Sequence, residues 1–217
     1  MKRYAFYGKG AYDLVYFLAL LLCRLGERVQ VFDGTNSRYL CRGVLKDCAE
    51  GNSGSFAGVD FFAVSRESVM DVIEQESDEK CCLLYMAEEP EDCLRGFQAF
   101  LVVGNLPEEL EEIPEKLQSF GEEGFVILRD AIRSVVDAGI LEMIYLPEWF
   151  ARENLCEIPF DWVDYQTRIQ LCYELPRVIP ELSKGYSAVL ADLAAWMTKK
   201  DARQIKKAYR KGRRGCR

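Results

Sequence analysis

Histidine is absent from all 217 residues. Its absence excludes a Ser-His-Asp triad, a Cys-His dyad, and any metal or haem held by imidazole. Nine cysteines are present, but no two stand in a CxxC spacing, and only Cys81 and Cys82 are neighbours. The usual zinc and thioredoxin arrangements are therefore missing as well. An odd cysteine count with no export signal reads as free, mostly buried thiols in a reducing compartment. Long apolar runs are lacking too. The richest stretch, Leu14–Cys23, is about ten residues, half of what a membrane span requires. Lys9 and Asp13 interrupt the approach to it, and bulky Leu22 precedes Cys23 where lipoprotein cleavage wants a small residue. The run reads as a buried core helix, not as a leader or an anchor.

What is present is ordinary in bulk and uneven in distribution. Apolar residues make up 49% and charged residues 29%, which excludes global disorder and a collagen-like chain. The length suits one domain, which buries roughly 70% of its unfolded surface and needs neither metal nor disulfide to fold. The formal charge is −7 from 28 bases and 35 acids. Residues 199–217 alone hold ten bases and one acid, Asp201, which leaves the body with 18 bases and 34 acids, a charge of −16. The expected organisation is an acidic domain over 1–198 and a basic C-terminal tail over 199–217.

The hydrophobic pattern alternates between strand and helix. Arg3–Tyr7 reads as a strand, Gly8–Asp13 as a loop, and Leu14–Leu25 as a helix apolar on nearly every side. Gly26 follows as a C-cap, and Val29–Phe32 is a second strand ending at Asp33. Strand, helix and strand in about 30 residues make a βαβ unit with parallel strands. Gly51–Ser55 reads as a flexible loop, Val59–Val64 as a strand and Glu67–Gln75 as a helix. Cys81–Met86 and Ala99–Val103 are continuous apolar strands of the kind found inside parallel sheets. Pro107–Phe120 reads as an acidic helix, Phe125–Leu128 as a strand, and Asp130–Leu146 suits a helix or a short strand. A helix from Pro147 to about Asn154, a strand at Leu155–Ile158, and helices near 165–174 and 185–198 complete the order. The expected fold is an α/β layer sandwich with a mostly parallel central sheet.

Ligands in such folds bind at the carboxyl ends of the strands, so the first strand–helix turn matters most. It reads Tyr7-Gly8-Lys9-Gly10-Ala11-Tyr12-Asp13-Leu14-Val15. This resembles the deviant P-loop of the ParA/MinD ATPases, a family that includes the nitrogenase iron protein, whose motif runs Lys-Gly-Gly-x-Gly-Lys-Ser/Thr. Tyr7-Gly8-Lys9-Gly10 matches its beginning. Ala11 and Asp13 then stand for glycines, Leu14 for the lysine that neutralises phosphate, and Val15 for the hydroxyl that holds Mg²⁺. Asp13 also places a negative charge at a helix N-terminus, where phosphate would bind and where the carboxylate can itself cap the helix.

The resemblance continues in order along the chain. Val29–Asp33 is similar to the family's second strand with its terminal aspartate. Leu83–Pro90 corresponds to the switch strand that ends Asp-Thr-Pro, with Tyr85 nearest the aspartate and Glu88 and Glu89 read as a solvated acidic loop. Leu101–Gly104 with Pro107-Glu108 resembles the next strand and helix. Phe125–Asp130 resembles the strand whose Asn-Arg end lies near adenine, with Arg129-Asp130 in that place. Ile158-Pro159-Phe160-Asp161 resembles the family's Ile-Pro-Tyr/Phe-Asp segment, and Ser187 through Trp196 its closing helix. Cys93 does not stand in the glycine-rich turn of a cluster ligand, so no iron–sulfur cluster is assigned and no metal site.

The resemblance implies a three-layer P-loop NTPase-like fold and a vestigial nucleotide site made of Gly8, Lys9, Gly10, Asp33, Arg129 and Phe160. Lys9 holds the position of the signature lysine that reaches a dimer partner's nucleotide in the family, although an exposed loop lysine reads the same. Asp33 reads equally as part of an Asp-Gly turn. Without the lysine, the hydroxyl and the switch aspartate, no catalytic residue is assigned and no cofactor is expected, ATP or ADP without ordinary magnesium coordination being the alternative. The expected role is a catalytically degenerate scaffold or regulatory partner in a bacterial positioning, assembly or secretion system. Its partner would be a protein, a second copy, or an active ATPase relative. The alternatives are an ATPase with a rebuilt site and a tether that uses residues 199–217 on DNA or anionic membrane. The apolar stripe of that tail, Ala202, Ile205 and Tyr209, is thin. A cytoplasmic protein, peripheral at the inner membrane face if the tail tethers it, is expected.

Overall fold

The computed structural model describes residues 2–45, 49, 51–65, 67–75, 80–87, 96–121 and 123–214. The first half of the chain runs β1 (Lys2–Tyr7), α1 (Tyr12–Arg24), β2 (Val29–Asp33), α2 (Tyr39–Arg42), β3 (Ser53–Phe56), β4 (Val59–Ala63), α3 (Val69–Glu74) and β5 (Cys81–Met86). The second half runs β6 (Gln98–Val103), α4 (Pro107–Glu111), α5 (Ile113–Phe120), β7 (Phe125–Ala131), α6 (Ala138–Ile144) and β8 (Leu155–Pro159). Three helices close it: α7 (Trp162–Leu171), α8 (Lys184–Thr198) and α9 (Ala202–Arg214). The strands form one sheet in the order β3-β4-β2-β5-β1-β6-β7-β8. Every ladder is parallel except that between β3 and β4.

Period-two alternation explains why the central strands read as continuous apolar runs. Tyr4 and Phe6 of β1, with Leu83 and Tyr85 of β5, join a core shared with α1, α8 and α9. Ala5 and Tyr7, with Leu84 and Met86, face the opposite core beneath α3, α4, α5 and α6. Both faces are covered, so both sets of side chains are apolar. Helix α1 is apolar nearly all round because it is wedged between the sheet and helices α8 and α9. The expected three-layer α/β architecture is what the chain adopts.

Several elements differ from the sequence reading, each for a local reason. Ser53–Phe56 pairs antiparallel with β4 instead of forming a flexible loop. Its connection is Ala57-Gly58, with φ of 53° and 87°, the left-handed pair of a tight hairpin. The acidic stretch Pro107–Phe120 is two helices, the second carrying Pro114 in its first turn. Only Arg152–Asn154 of the segment 147–154 is helical, as one 3-10 turn.

The basic segment was expected to project beyond the fold, and over its described length it does not. Asp201 and Gln204 form a reciprocal capping box, Gln204 N donating to Asp201 Oδ1 at 2.8 Å and Asp201 N to Gln204 Oε1 at 3.1 Å. Helix α9 then buries Ile205, Ala208 and Gly212 against α1 and α8. Gly212 O accepts from Ile179 N at 3.1 Å, and the Tyr209 hydroxyl lies 2.8 Å from Ser187 Oγ. The stripe that reads as thin is a docking seam, with Ala202 left exposed.

Candidate functional site

Helix α1 begins at Tyr12, two residues before the expected start, and that shift decides the chemistry of the turn. The connection from β1 is only Gly8 to Ala11, closed by Ala11 N donating to Gly8 O at 3.1 Å. Leu14 and Val15 therefore lie inside the first helical turns, fully buried in the apolar core. The resemblance sets them in the places of the phosphate lysine and the magnesium hydroxyl; in the fold they face packed hydrocarbon. Gly8 has φ +127° and approaches β6 so closely that a Cβ would sit 2.0 Å from Val102 O. Packing of the turn on the sheet is thus a sufficient reason for this glycine.

Asp13 does not cap α1, whose N-cap, Ala11, makes no side-chain hydrogen bond. Its carboxylate is completely buried and paired with Arg129 from the end of β7, itself 3% exposed. Both guanidinium NH groups donate to Asp13, Nη1 to Oδ1 and Nη2 to Oδ2, the latter at 2.8 Å. Nη1 also donates to the Gly10 carbonyl. The Tyr186 hydroxyl of α8 donates to Asp13 Oδ2 at 2.8 Å, and the Arg129 guanidinium lies 5.5 Å from the centre of the Tyr186 ring. Burial opposes the Arg129 charge, but Asp13 more than offsets it and holds the group above the usual arginine range. Burial first and Asp13 second push the Tyr186 hydroxyl well above the ordinary phenol value. The Asp13–Arg129 fork pairs the two charges in a bidentate contact at this depth, with Arg129 Nε left without a hydrogen-bond partner among the described residues.

Tyr85, which the resemblance sets nearest the switch aspartate, is buried and donates its hydroxyl to Lys9 O at 3.0 Å. It fastens the end of β5 to the turn; burial, then the charges of Asp33 and Asp13, push its hydroxyl above the ordinary phenol value. Lys9 itself is exposed. Asp33 is buried and its oxygens are occupied by Thr35 N at 3.1 Å, Thr35 Oγ1 at 2.6 Å and Leu40 N at 3.1 Å. Burial raises its carboxyl above the ordinary value, against the pull of those hydrogen bonds. It organises the loop into α2. Phe160 is exposed, its N–H donating to Ala131 O at 3.0 Å.

Of the six expected site residues, only Gly10 and Arg129 line a common cleft. It measures about 190 Å³ and is also lined by Gly104, Asn105, Asp130 and Arg168. Asp130 is the extra residue of a bulge between β7 and β8, with φ of 56°. Its carboxylate pairs with Arg168 Nη2 at 2.8 Å, and its carbonyl accepts from Asn105 Nδ2 at 3.0 Å. Small-molecule pockets usually occupy about 300–1,000 Å³, so this cleft is smaller than most. The residues present do not supply the ordinary Mg-ATP groups: Leu14 and Val15 are buried in the core, the Tyr85 hydroxyl is given to Lys9 O, and Arg129 is committed to Asp13.

The partners of Arg129 escaped the sequence reading, although a signal was available. A single aspartate inside an otherwise apolar helix demands a buried partner. Among the described residues no group of three or more His, Cys, Asp or Glu side chains could hold a metal. Glu88, Glu89 and Cys93 lie outside the described residues. Among the described residues, no helix is long and apolar enough to cross a membrane.

A mostly parallel sheet wound on both sides, with the first strand central and its turn feeding a buried helix, is a doubly wound α/β fold. Within it the chain is similar to the MinD cell division protein of Aquifex aeolicus, with a TM-score of 0.61 at 13% identity over 92% of this chain and 98% of that one. It is also similar to a protein assigned to plasmid partition in Borrelia burgdorferi B31, solved with AMPPNP, with a TM-score of 0.52 at 8% identity over 96% and 98% of the two chains. No family model and no curated protein sequence matches the chain. The fold is thus MinD-like, and the site has to be judged from its own residues.

Proposed function

We propose that this protein is a catalytically degenerate relative of the ParA/MinD ATPases, acting as a scaffold or regulatory partner in a bacterial positioning, assembly or secretion system. The observation that carries the reading is the Asp13–Arg129–Tyr186 unit at the first turn. A P-loop stabilises phosphate with free N–H groups and a lysine; here a carboxylate and its own arginine fill that function from within the chain. The names of the two similar structures, a cell division protein and a plasmid partition protein, suggest the setting. A protein partner is expected, either a second copy or an active relative, in the cytoplasm or at the inner face of its membrane.

Calorimetric titration of the full chain with ATP, with and without Mg²⁺, tests the reading. No saturable magnesium-dependent heat is expected, and no cofactor should be carried. Tight Mg-ATP binding, or turnover abolished by Lys9→Ala, would replace it with the rebuilt ATPase. A second reading has its own support. Seven bases on α9 are exposed: Arg203, Lys206, Lys207, Arg210, Lys211, Arg213 and Arg214. They suit a tether on DNA or anionic membrane by counterion release or surface potential. Because the apolar stripe of α9 is spent on docking, such a tether would be electrostatic and would insert nothing into lipid.

A further inference from the structure

Two surfaces of this chain are unlike the rest and complement each other. The first is the outer face of α7. Trp162, Tyr165 and Ile169, with Tyr173 just past the helix end, recur at helical spacing and are all exposed, Trp162 at 60% and Tyr173 at 86%. Phe160 extends the row at its start. The rings of Trp162 and Tyr165 stack at 5.6 Å. With aromatic side chains of roughly 200 Å² each, the row exposes on the order of 500 Å². That reaches the size of the largest patch on a typical monomer and most of one partner's share of a standard interface.

The chain around this row is acidic. Residues 137–174 contain eight acids and two bases. Both bases are paired with acids, Arg152 with Glu142 at 3.4 Å and Arg168 with Asp130 at 2.8 Å. An exposed aromatic row, with Asp161 and Glu174 next to it in the chain, is chemistry that receives arginine and lysine through cation–π contacts. One arginine already does so in cis, since the Arg168 guanidinium lies 5.1 Å from the centre of the Tyr165 ring.

The second surface is the outer face of α9. Of its seven exposed bases only Arg213 has an acidic partner among the described residues, Glu181 at 3.4 Å. The helix is fixed by its capping box and its buried seam, so the charges are presented in a set arrangement.

We infer that the α9 face of one copy docks on the aromatic α7 face of a second copy, joining the chains head to tail. The contact is heterologous, so it leaves one α7 face and one α9 face free at the ends and can propagate. It differs from a symmetric dimer across Lys9, and it does not depend on whether the site at the first turn binds nucleotide.

The test is sedimentation equilibrium of the nuclease-treated full chain across concentration and salt. Two variants accompany it, one with Trp162→Ser and Tyr173→Ser, the other with Lys206→Glu, Lys207→Glu and Arg210→Glu. All five positions are exposed, and a thermal melt confirms that each variant folds. The wild type should show a mass that climbs with concentration at low salt and falls to the monomer in about 1 M salt, where screening acts within about 3 Å. Each variant alone should stay monomeric. Their mixture should form a one-to-one pair, because each supplies the face that the other has lost. A wild-type chain monomeric throughout, association that needs nucleic acid, or a mixture that stays monomeric while the wild type associates overturns the inference.

Discussion

Asp13 and Arg129 show how one residue pair can change the meaning of a motif. Both side chains are removed from water, so their mutual attraction must offset a desolvation cost of several kcal/mol per ion. The fork geometry and the Tyr186 hydroxyl provide that offset. Removing one partner strands the other's charge. Asp13→Asn or Arg129→Met should therefore lower stability by about 3–5 kcal/mol in urea unfolding. Tyr186→Phe deletes one hydrogen bond and leaves the fork, so it should cost about 1 kcal/mol. The combination Asp13→Leu, Arg129→Met and Tyr186→Phe removes every member together and should recover most of the loss. If the triple variant is as unstable as the single substitutions summed, the charges are not acting as a compensated unit.

At the scale of elements, the first turn separates packing from ligand binding. Gly8 combines φ +127° with an approach to Val102 O that excludes a Cβ, whereas the nearest atom to a Cβ on Gly10 is Arg129 Cδ at 3.9 Å. Gly8→Ala should cost more than about 3 kcal/mol, since both backbone strain and a backbone clash are added. Gly10→Ala should stay within about 1 kcal/mol, as expected away from such features. A loop shaped by its ligand would need both glycines, so equal and large losses in denaturant unfolding would contradict the packing explanation. Helix α9 offers a parallel case. Ile205→Ala should cost about 2–4 kcal/mol by leaving a cavity against the core, while Lys206→Gln on the outer face should change stability by less than about 0.5 kcal/mol. An Ile205→Ala variant as stable as the wild type would mean that α9 is not docked in solution. These two elements also show what a sequence discloses. The strands β1, β2, β5 and β6 and the burial of α1 were legible because apolar runs between turn residues follow from a sheet covered on both faces. Asp201-x-x-Gln204 was equally legible as a helix start, but ten bases in nineteen residues drew the reading toward a solvated tail. The hairpin at Ala57-Gly58 lacks the Asn-Gly or Asp-Gly signal. The Asp13–Arg129 fork joins residues 116 apart, and no local pattern encodes which distant partner a buried charge will find. Asp33 and Phe160 were grouped with the turn by resemblance alone; in the fold Asp33 serves the loop into α2 and Phe160 N–H pairs with Ala131 O.

Considered as a whole, the molecule stores a pH dependence in its buried phenols. Tyr4 is pushed up to about 12, chiefly by burial and then by the neighbouring Cys81 and Glu27. Tyr12, Tyr16, Tyr85 and Tyr186 are displaced upward as well, each mainly by burial. An unfolded phenol ionises near 10. Between that value and the folded values the unfolded chain releases protons that the folded chain retains, so stability falls as pH rises. The loss begins near pH 10 and continues through the folded value of Tyr4, about 12; below pH 10 these groups contribute no slope. The acidic body reinforces the trend. A net charge of −7 at neutral pH becomes more negative at alkaline pH, and self-repulsion grows. The expected outcome is alkaline unfolding in which tyrosinate absorbance and the loss of helical circular dichroism rise together in one cooperative step. Neutral salt should move the step to higher pH by screening the repulsion, without merging it into a gradual titration. If the buried phenols instead ionise smoothly while the helical signal persists, the core shared with α1, α8 and α9 is more open to water than the packing of Tyr16, Tyr85 and Tyr186 requires.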